Sequence, residues 1–242
     1  MIKTSLHKER LNKTGFCIAK SVFKEEEIIA FQKCITQSIN RIAHNLLIPY
    51  EDSFPEESFN RRLELSAKKD PAYANAIITS LYADGHLSPP ISTIYSHYKF
   101  QNLIKELISP IQNQNPTTRI RLSLKSHPEK NHPWHSDLVN PDSVDCGSLK
   151  LACWIPLQDI NKDNGSLKIV SEKFNQPFSH RNDGGHFHIP EKSLIGLPTS
   201  TIECQAGDVV LIDRFTPHKT LQNLSHSVRW SILLWIKGFD EN

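Results

Sequence analysis

The stretch RIRLSLK, residues 119–125, places polar and apolar side chains alternately along the chain. Successive side chains of a β-strand point to opposite faces, so this period of two indicates a strand with one buried face. Short segments of the same kind follow between turns, at about 149–156, 166–170, 201–204, 208–213 and 228–236. Many short strands behind a helical block predict an antiparallel, double-sheet β-barrel with helices packed outside it.

The N-terminal part of the chain has helical patterns. Apolar residues recur every three or four positions from Ile28 to Leu46, which predicts an amphipathic helix that begins near Lys24. Asp70-Pro71 is typical of a helix start, and we expect this helix to end at Gly85. Pro89-Pro90 introduces a further helical stretch that reaches Leu107.

Two other segments complete the predicted organisation. A short strand is expected at 15–19, and the polar, irregular residues 49–69 indicate a surface loop. We find no linker or internal repeat, and therefore predict one domain over 1–242. It would consist of a mainly helical portion, 1–116, and a β core, 117–238.

The composition argues against several classes of protein. A formal charge of +2 is too small to argue for binding to nucleic acid or to an anionic membrane. We expect neither a signal peptide nor a membrane span, because the first ten residues lack an apolar h-region and no run of 18 apolar residues occurs. Its five cysteines are scattered and form no C-x-x-C pair, as in proteins with reduced thiols. We therefore expect a cytoplasmic protein, monomeric or homodimeric, that binds neither nucleic acid nor a membrane.

A metal site is indicated by the sequence WHSD at 134–137. Side chains two residues apart on an extended strand point to the same face. His135 and Asp137 could therefore bind one metal ion together. A second imidazole from a distant strand, His218, would complete two histidines and one carboxylate. That set is the facial triad of non-haem Fe(II) oxygenases, which leaves positions open for O2 and a co-substrate. His186 and His188 have the same spacing, but their Gly- and Pro-containing surroundings, 175–200, favour a lid or substrate loop.

The last predicted strand, VRWSILLWI at 228–236, suggests the co-substrate. Arg229 and Ser231 share one face, and an arginine inside a barrel is costly unless it meets an anion. The arginine fork fits a carboxylate, and a neighbouring hydroxyl adds a further donor. A dicarboxylate could bind this pair through one end and chelate a neighbouring iron through the other. 2-Oxoglutarate is such a molecule.

These motifs resemble those of the Fe(II)- and 2-oxoglutarate-dependent dioxygenases of the phytanoyl-CoA dioxygenase family. The similarity covers roughly 118–237 and includes WHSD at 134–137, CWIPL at 153–157, NGSL at 164–167 and GDVV at 207–210, with Arg229 eleven residues after His218. It implies a double-stranded β-helix, that is, a cupin-like jelly roll. It also implies that His135, Asp137 and His218 bind iron and that Arg229 and Thr220 hold the distal carboxylate of 2-oxoglutarate.

The resemblance implies a soluble oxygenase that hydroxylates a small molecule and releases succinate and CO2. The same site could serve desaturation, epimerisation or ring formation, or the chain could be a non-catalytic ligand-binding barrel. A peptide substrate also remains open. Where many relatives have Pro-Gly-Ser-His, this chain has VSEKF at 170–174, which leaves the substrate class undetermined. Lys125 and Trp154 are candidate substrate contacts. Alternatively, Lys125 lies on a solvated face of the sheet and Trp154 packs in the core.

Overall fold

The computed structural model describes residues 6–50, 54–83, 93–108, 117–138, 149–183 and 186–238. The α-helices in these ranges are α1 (Leu6–Thr14), α2 (Glu25–Asn45), α3 (Phe59–Lys69), α4 (Pro71–Ala83) and α5 (Tyr98–Leu107). The strands are β1 (Phe16–Ala19), β2 (Thr117–Ser123), β3 (Leu149–Pro156), β4 (Leu167–Val170), β5 (Arg181–Asp183), β6 (His186–His188), β7 (Thr199–Thr201), β8 (Val209–Asp213), β9 (His218–Thr220) and β10 (Arg229–Lys237).

The strands form two main antiparallel sheets. The larger sheet has the order β1-β8-β3-β10-β2, and the smaller has the order β7-β4-β9. β5 and β6 form a separate hairpin. The predicted fold class, a mainly antiparallel jelly-roll architecture with flanking helices, is confirmed.

Alternation along the central strands explains why the two sheets pack together. On β3, Ala152 and Trp154 pack in one cluster with Leu167 and Ile169 of the smaller sheet. Their neighbours Leu151, Cys153 and Ile155 belong to the other cluster, which includes the helices. The larger sheet is therefore covered by helices on one face, and its other face forms the interior that holds the site.

The helical layer agrees in part with the prediction. The apolar stripe of α2 is buried from Ile28 to Ile42. α4 begins at Pro71, and the Asp70 carboxylate accepts a hydrogen bond from the Ala72 backbone N–H at 3.0 Å. The predicted helix end at Gly85 and helix start at Pro89-Pro90 lie outside the described residues. None of the described helices is long and apolar enough to cross a bilayer.

The predicted surface loop at 49–69 is wrong for much of its length. Residues 59–69 form α3, in which Leu63 and Ala67 are buried. Phe59, at its start, packs its ring 5.2 Å from that of Trp230 on β10. A few apolar positions in a charged segment give a weak pattern, and contact with the core stabilises this helix.

The first strand belongs to the core, although it lies in the mainly helical portion of the sequence. β1 pairs with β8 in the larger sheet, with Cys17 opposite Leu211. The N-terminal portion thus supplies an edge strand as well as the covering helices.

Candidate active site

Three predicted ligand residues come together at the edge of the smaller sheet. His135 forms an isolated bridge with His218 of β9, with backbone N···O distances of 3.0 and 2.8 Å. Asp137 follows two residues later, and its Oδ2 lies 3.8 Å from His218 Nε2. One ligand atom from each of the three residues lies within 4.8 Å of the others. Among the side chains that the structure describes, no second cluster of this kind occurs.

Both imidazoles are oriented by backbone carbonyls. His135 Nδ1 lies 2.8 Å from the Pro133 oxygen, and His218 Nδ1 lies 3.1 Å from the Thr216 oxygen. A proton on each Nδ1 satisfies these carbonyls and leaves the Nε2 lone pairs directed at the shared point. Burial, followed by the nearby His218, lowers the pKa of His135 to about 4, so this ring is neutral at neutral pH.

The Asp137 carboxylate has one satisfied and one unsatisfied oxygen. Oδ1 accepts a hydrogen bond from Trp235 Nε1 of β10 at 2.8 Å. Oδ2 is buried and has no hydrogen-bond partner among the described residues. A buried carboxylate oxygen without a donor is costly unless a cation compensates it. Two imidazole nitrogens and this oxygen therefore fit a divalent metal such as iron.

The loop between the two first ligands is fixed by a residue that the sequence did not indicate. The backbone N–H of Ser136 donates to His180 Nε2 at 3.1 Å, and Ser136 is fully buried. His180 Nδ1 lies 2.9 Å from the Phe178 oxygen, which makes Nε2 the acceptor nitrogen. The 175–200 segment thus holds the ligand loop in place.

Arg229 lies deep in the interior, as predicted, and has no carboxylate partner among the described residues. It is 2% exposed, donates from Nε to the Gly165 oxygen at 3.0 Å and from Nη1 to Ser231 Oγ at 2.7 Å. Its Cζ lies 5.4 Å from the centre of the Trp154 ring. Burial lowers the pKa of Arg229 to about 10, with a smaller opposing effect of Tyr82. The second guanidinium nitrogen, Nη2, has no acceptor in the part of the chain that the structure describes.

Ser231 holds the side chain of Arg229 in position. Its hydroxyl accepts from Arg229 and donates to the Arg121 backbone oxygen at 3.3 Å. Because both of these contacts are made to protein groups, Ser231 does not present its hydroxyl to the cavity. We predicted a direct contact between Ser231 and a co-substrate. In the structure the Ser231 hydroxyl instead contacts Arg229 and orients its guanidinium.

A cavity of about 300 Å³ joins the three ligand residues to Arg229. Thr220 and Trp154, the predicted co-substrate and substrate contacts, lie in its wall. Its lining consists of Arg121, Leu122, Lys130, His132, His135, Ser136, Asp137, Trp154, Leu167, Phe187, Ile212, His218, Thr220, Arg229, Leu233 and Trp235. Phe187 comes from the β5–β6 hairpin and is 57% exposed, so this hairpin borders the cavity mouth.

Lys125 does not reach the cavity. β2 ends at Ser123, and beyond it the Lys125 side chain is exposed, with its ammonium group donating to the Leu224 oxygen at 3.2 Å. The prediction extended the strand alternation two residues too far, because the chain turns after Ser123. Arg121, two residues before the strand end, lines the cavity instead.

The family of the chain follows from comparison with known proteins. The model of the family described as phytanoyl-CoA dioxygenase matches residues 11–231. The chain belongs to the phytanoyl-CoA dioxygenase family. This result confirms the predicted class, a 2-oxoglutarate-dependent non-haem iron enzyme, and its cofactors. No curated protein matches the sequence significantly.

Several solved structures share the fold of this family member. The α-ketoglutarate-dependent epimerase SnoN from nogalamycin biosynthesis is 17% identical, with 96% of this chain and 82% of SnoN covered and a TM-score of 0.60. HygX from Streptomyces hygroscopicus, with nickel and 2-oxoglutarate bound, is 15% identical, with coverages of 97% and 87% and a TM-score of 0.54. AviO1 from Streptomyces viridochromogenes Tue57 is 18% identical, with coverages of 100% and 98% and a TM-score of 0.54.

Proposed function

We propose that this protein hydroxylates a small molecule in a reaction that consumes O2 and 2-oxoglutarate. In this proposal His135, Asp137 and His218 hold Fe(II), and Arg229 binds the distal carboxylate of 2-oxoglutarate. The observation that supports it is the buried, unpaired Oδ2 of Asp137 beside two available imidazole nitrogens. A divalent cation is the group that would compensate this oxygen.

Arg229 would act as an anchor at the closed end of the cavity. Gly165 and Ser231 hold its Nε and Nη1, so the direction of the remaining N–H donors is fixed before a ligand arrives. Thr220 lies in the wall of the same cavity and can add a hydroxyl donor to the carboxylate. Such a fixed cation in an apolar pocket orients a dicarboxylate towards the metal without reorganisation.

The bound iron and the protein would have different roles in the reaction. Bound iron would supply oxidation of a substrate C–H bond, coupled to conversion of 2-oxoglutarate to succinate and CO2. The chain would hold the reactants in position and exclude water with apolar side chains of the lining, among them Trp154, Leu167, Ile212 and Leu233.

Epimerisation is a second candidate outcome. SnoN, which shares this fold, is an α-ketoglutarate-dependent epimerase. Hydroxylation adds one oxygen atom to the substrate, whereas epimerisation leaves its mass unchanged. Mass spectrometry of the product therefore separates the two outcomes once a substrate is found.

The proposal is tested by anaerobic titration of the apo-protein with Fe(II) and 2-oxoglutarate. We expect a weak visible charge-transfer band of the chelate with the wild type. The band should be lost in His218→Ala, which lacks a ligand, and should require far more 2-oxoglutarate in Arg229→Ala. Lys125→Ala, which changes an exposed cation outside the cavity, is the matched control and should behave as the wild type.

Absence of the band in the wild type, with metal bound elsewhere or not at all, would contradict the oxygenase proposal. It would favour the alternative of a non-catalytic ligand-binding barrel. A band in the wild type that His218→Ala leaves unchanged would instead show that other residues hold the iron.

A further inference from the structure

A second arginine, Arg121, faces the cavity beside the metal ligands. It lies on β2, directly opposite Ser231 of β10, and is half-buried. Its Cζ is 5.5 Å from the centre of the Tyr82 ring and 5.8 Å from that of the Trp235 ring. The guanidinium is therefore held against aromatic faces, while its N–H groups lie in the guanidinium plane and stay available.

Arg121 has no anion to bind within the described part of the protein. Among the described residues, no carboxylate forms an ion pair with it and no atom accepts a hydrogen bond from its guanidinium. Arg229 differs, because Gly165 and Ser231 accept from two of its nitrogens. Burial lowers the pKa of Arg121, and Tyr82 and Asp137 offset only part of this effect. A ligand carboxylate in this position would supply the acceptor that the described residues do not provide.

The charges of the cavity lining support the same conclusion. Fe(II) and doubly charged 2-oxoglutarate would cancel one another, and Asp137 would cancel Arg229. Among the described residues of the lining, Arg121 and Lys130 then remain without a compensating charge. Lys130 also has no ion-pair partner among the described residues. A cavity with this excess of positive charge attracts an anionic ligand and repels a cationic one.

We propose that the substrate of this site is an organic anion whose carboxylate binds Arg121 beside the co-substrate. This inference rests on the proposed function. Arg121 would take the carboxylate in bidentate fashion, and Lys130 would add longer-range attraction. Trp235 and Phe187 offer aromatic surface for an unsaturated or apolar body of the substrate. The carboxylate end would thus fix which C–H bond lies next to the metal.

The test uses benzoate as a minimal probe and benzamide as its neutral match. Protein loaded with Ni(II), an oxygen-stable substitute, and with saturating 2-oxoglutarate is titrated with each compound in a calorimeter. We expect benzoate to bind about tenfold or more tightly than benzamide, as one charge-assisted pair provides. Arg121→Gln should abolish this preference, and Arg121→Lys, which keeps the charge, should retain part of it.

Lys125→Gln is the matched control, because this exposed cation follows the same strand and lies outside the cavity. It should keep the wild-type preference. Equal binding of the two probes, or no benzoate binding up to about 10 mM, would overturn the inference. An unchanged preference in Arg121→Gln would also overturn it, provided that thermal melting shows the variant to be folded.

Two further outcomes separate this inference from the proposed function. If Arg121→Gln weakens the binding of 2-oxoglutarate itself about tenfold, Arg121 belongs to the co-substrate site and the inference is wrong. If the metal-loaded wild type binds no 2-oxoglutarate, the proposed function itself is wrong. The binding of 2-oxoglutarate is therefore measured before benzoate or benzamide is added.

Discussion

His180 links the 175–200 segment to the backbone between two of the proposed metal ligands. It accepts the buried N–H of Ser136, which lies between His135 and Asp137. If this acceptor is removed, a buried backbone donor is left without a partner, at a cost of about 1–3 kcal/mol. The ligand loop can reduce that cost by moving, and movement would displace the two ligands on either side of Ser136.

We therefore expect His180→Ala to weaken Fe(II) binding about tenfold, as the loss of a group that orients metal ligands typically does. His180→Gln, whose amide oxygen can accept the same hydrogen bond, should restore part of the affinity. Anaerobic Fe(II) titration measures both. The control is His226→Ala, because His226 is an exposed histidine outside the cavity. Equal affinities for His180→Ala and the wild type would show that the loop holds its shape without this contact.

At the level of single residues, the sequence predicted the groups that belong to motifs. The grouping of His135, Asp137 and His218 and the burial of Arg229 agree with the structure, because each residue belongs to a short motif with a recognisable spacing. His180 and Trp235 could not be predicted in this way. They contact their targets from 44 and 98 residues away in the chain, and only the packing of the two sheets brings them there.

At the level of elements, β10 explains how one strand can serve both core and site. Trp230, Ile232 and Leu234 pack towards the helices. The alternate face carries Arg229 at one end and Trp235 six residues later, so the anchor for the co-substrate and the support for Asp137 share one rigid backbone. The sequence predicted this period-two pattern. It did not predict α3, because the short apolar contact surface of that helix is mixed with charged residues.

The turn before β8 should be among the least tolerant backbone positions. Gly207 has φ of +89°, and its carbonyl accepts the Phe23 N–H at 3.0 Å. A methyl group at Gly207 would collide with the Phe23 backbone oxygen, whereas one at Gly196, with φ of +83°, meets nothing within 4 Å. Both substitutions to alanine carry the cost of a left-handed conformation, about 1–2 kcal/mol.

We therefore expect Gly207→Ala to destabilise the protein by about 1–3 kcal/mol more than Gly196→Ala, because only the former adds overpacking. Urea unfolding of the two variants and the wild type measures this difference. The shared backbone conformation makes Gly196→Ala a close control. Equal losses of stability would show that the junction between Phe23 and Gly207 relaxes at no cost.

At the level of the whole molecule, the interior holds positive charge that the described part of the fold does not balance. Burial lowers the pKa of Arg229 to about 10, so keeping this guanidinium charged in the folded state costs free energy. For a base with a lowered pKa, this cost is fully present below the folded-state pKa, where both folded and unfolded states carry the proton. It would disappear only as the pH rises above about 10, so it applies in full at neutral pH.

Arg229→Met should therefore be at least as stable as the wild type in the absence of ligands, since replacing an uncompensated buried charge by an apolar side chain is often neutral or stabilising. The wild type with Ni(II) should gain about 2.7 kcal/mol at a 2-oxoglutarate concentration one hundred times its Kd, a rise in Tm of roughly 5–10 °C. Arg229→Met should lose most of this rise, because the distal carboxylate loses its proposed partner. Calorimetric melting with and without 2-oxoglutarate measures both effects, with the exposed Arg61→Met as the control. A ligand-free Arg229→Met protein that melts well below the wild type would mean that the hydrogen bonds to Gly165 and Ser231 outweigh the desolvation of the charge, and that this arginine stabilises the fold as well as the site.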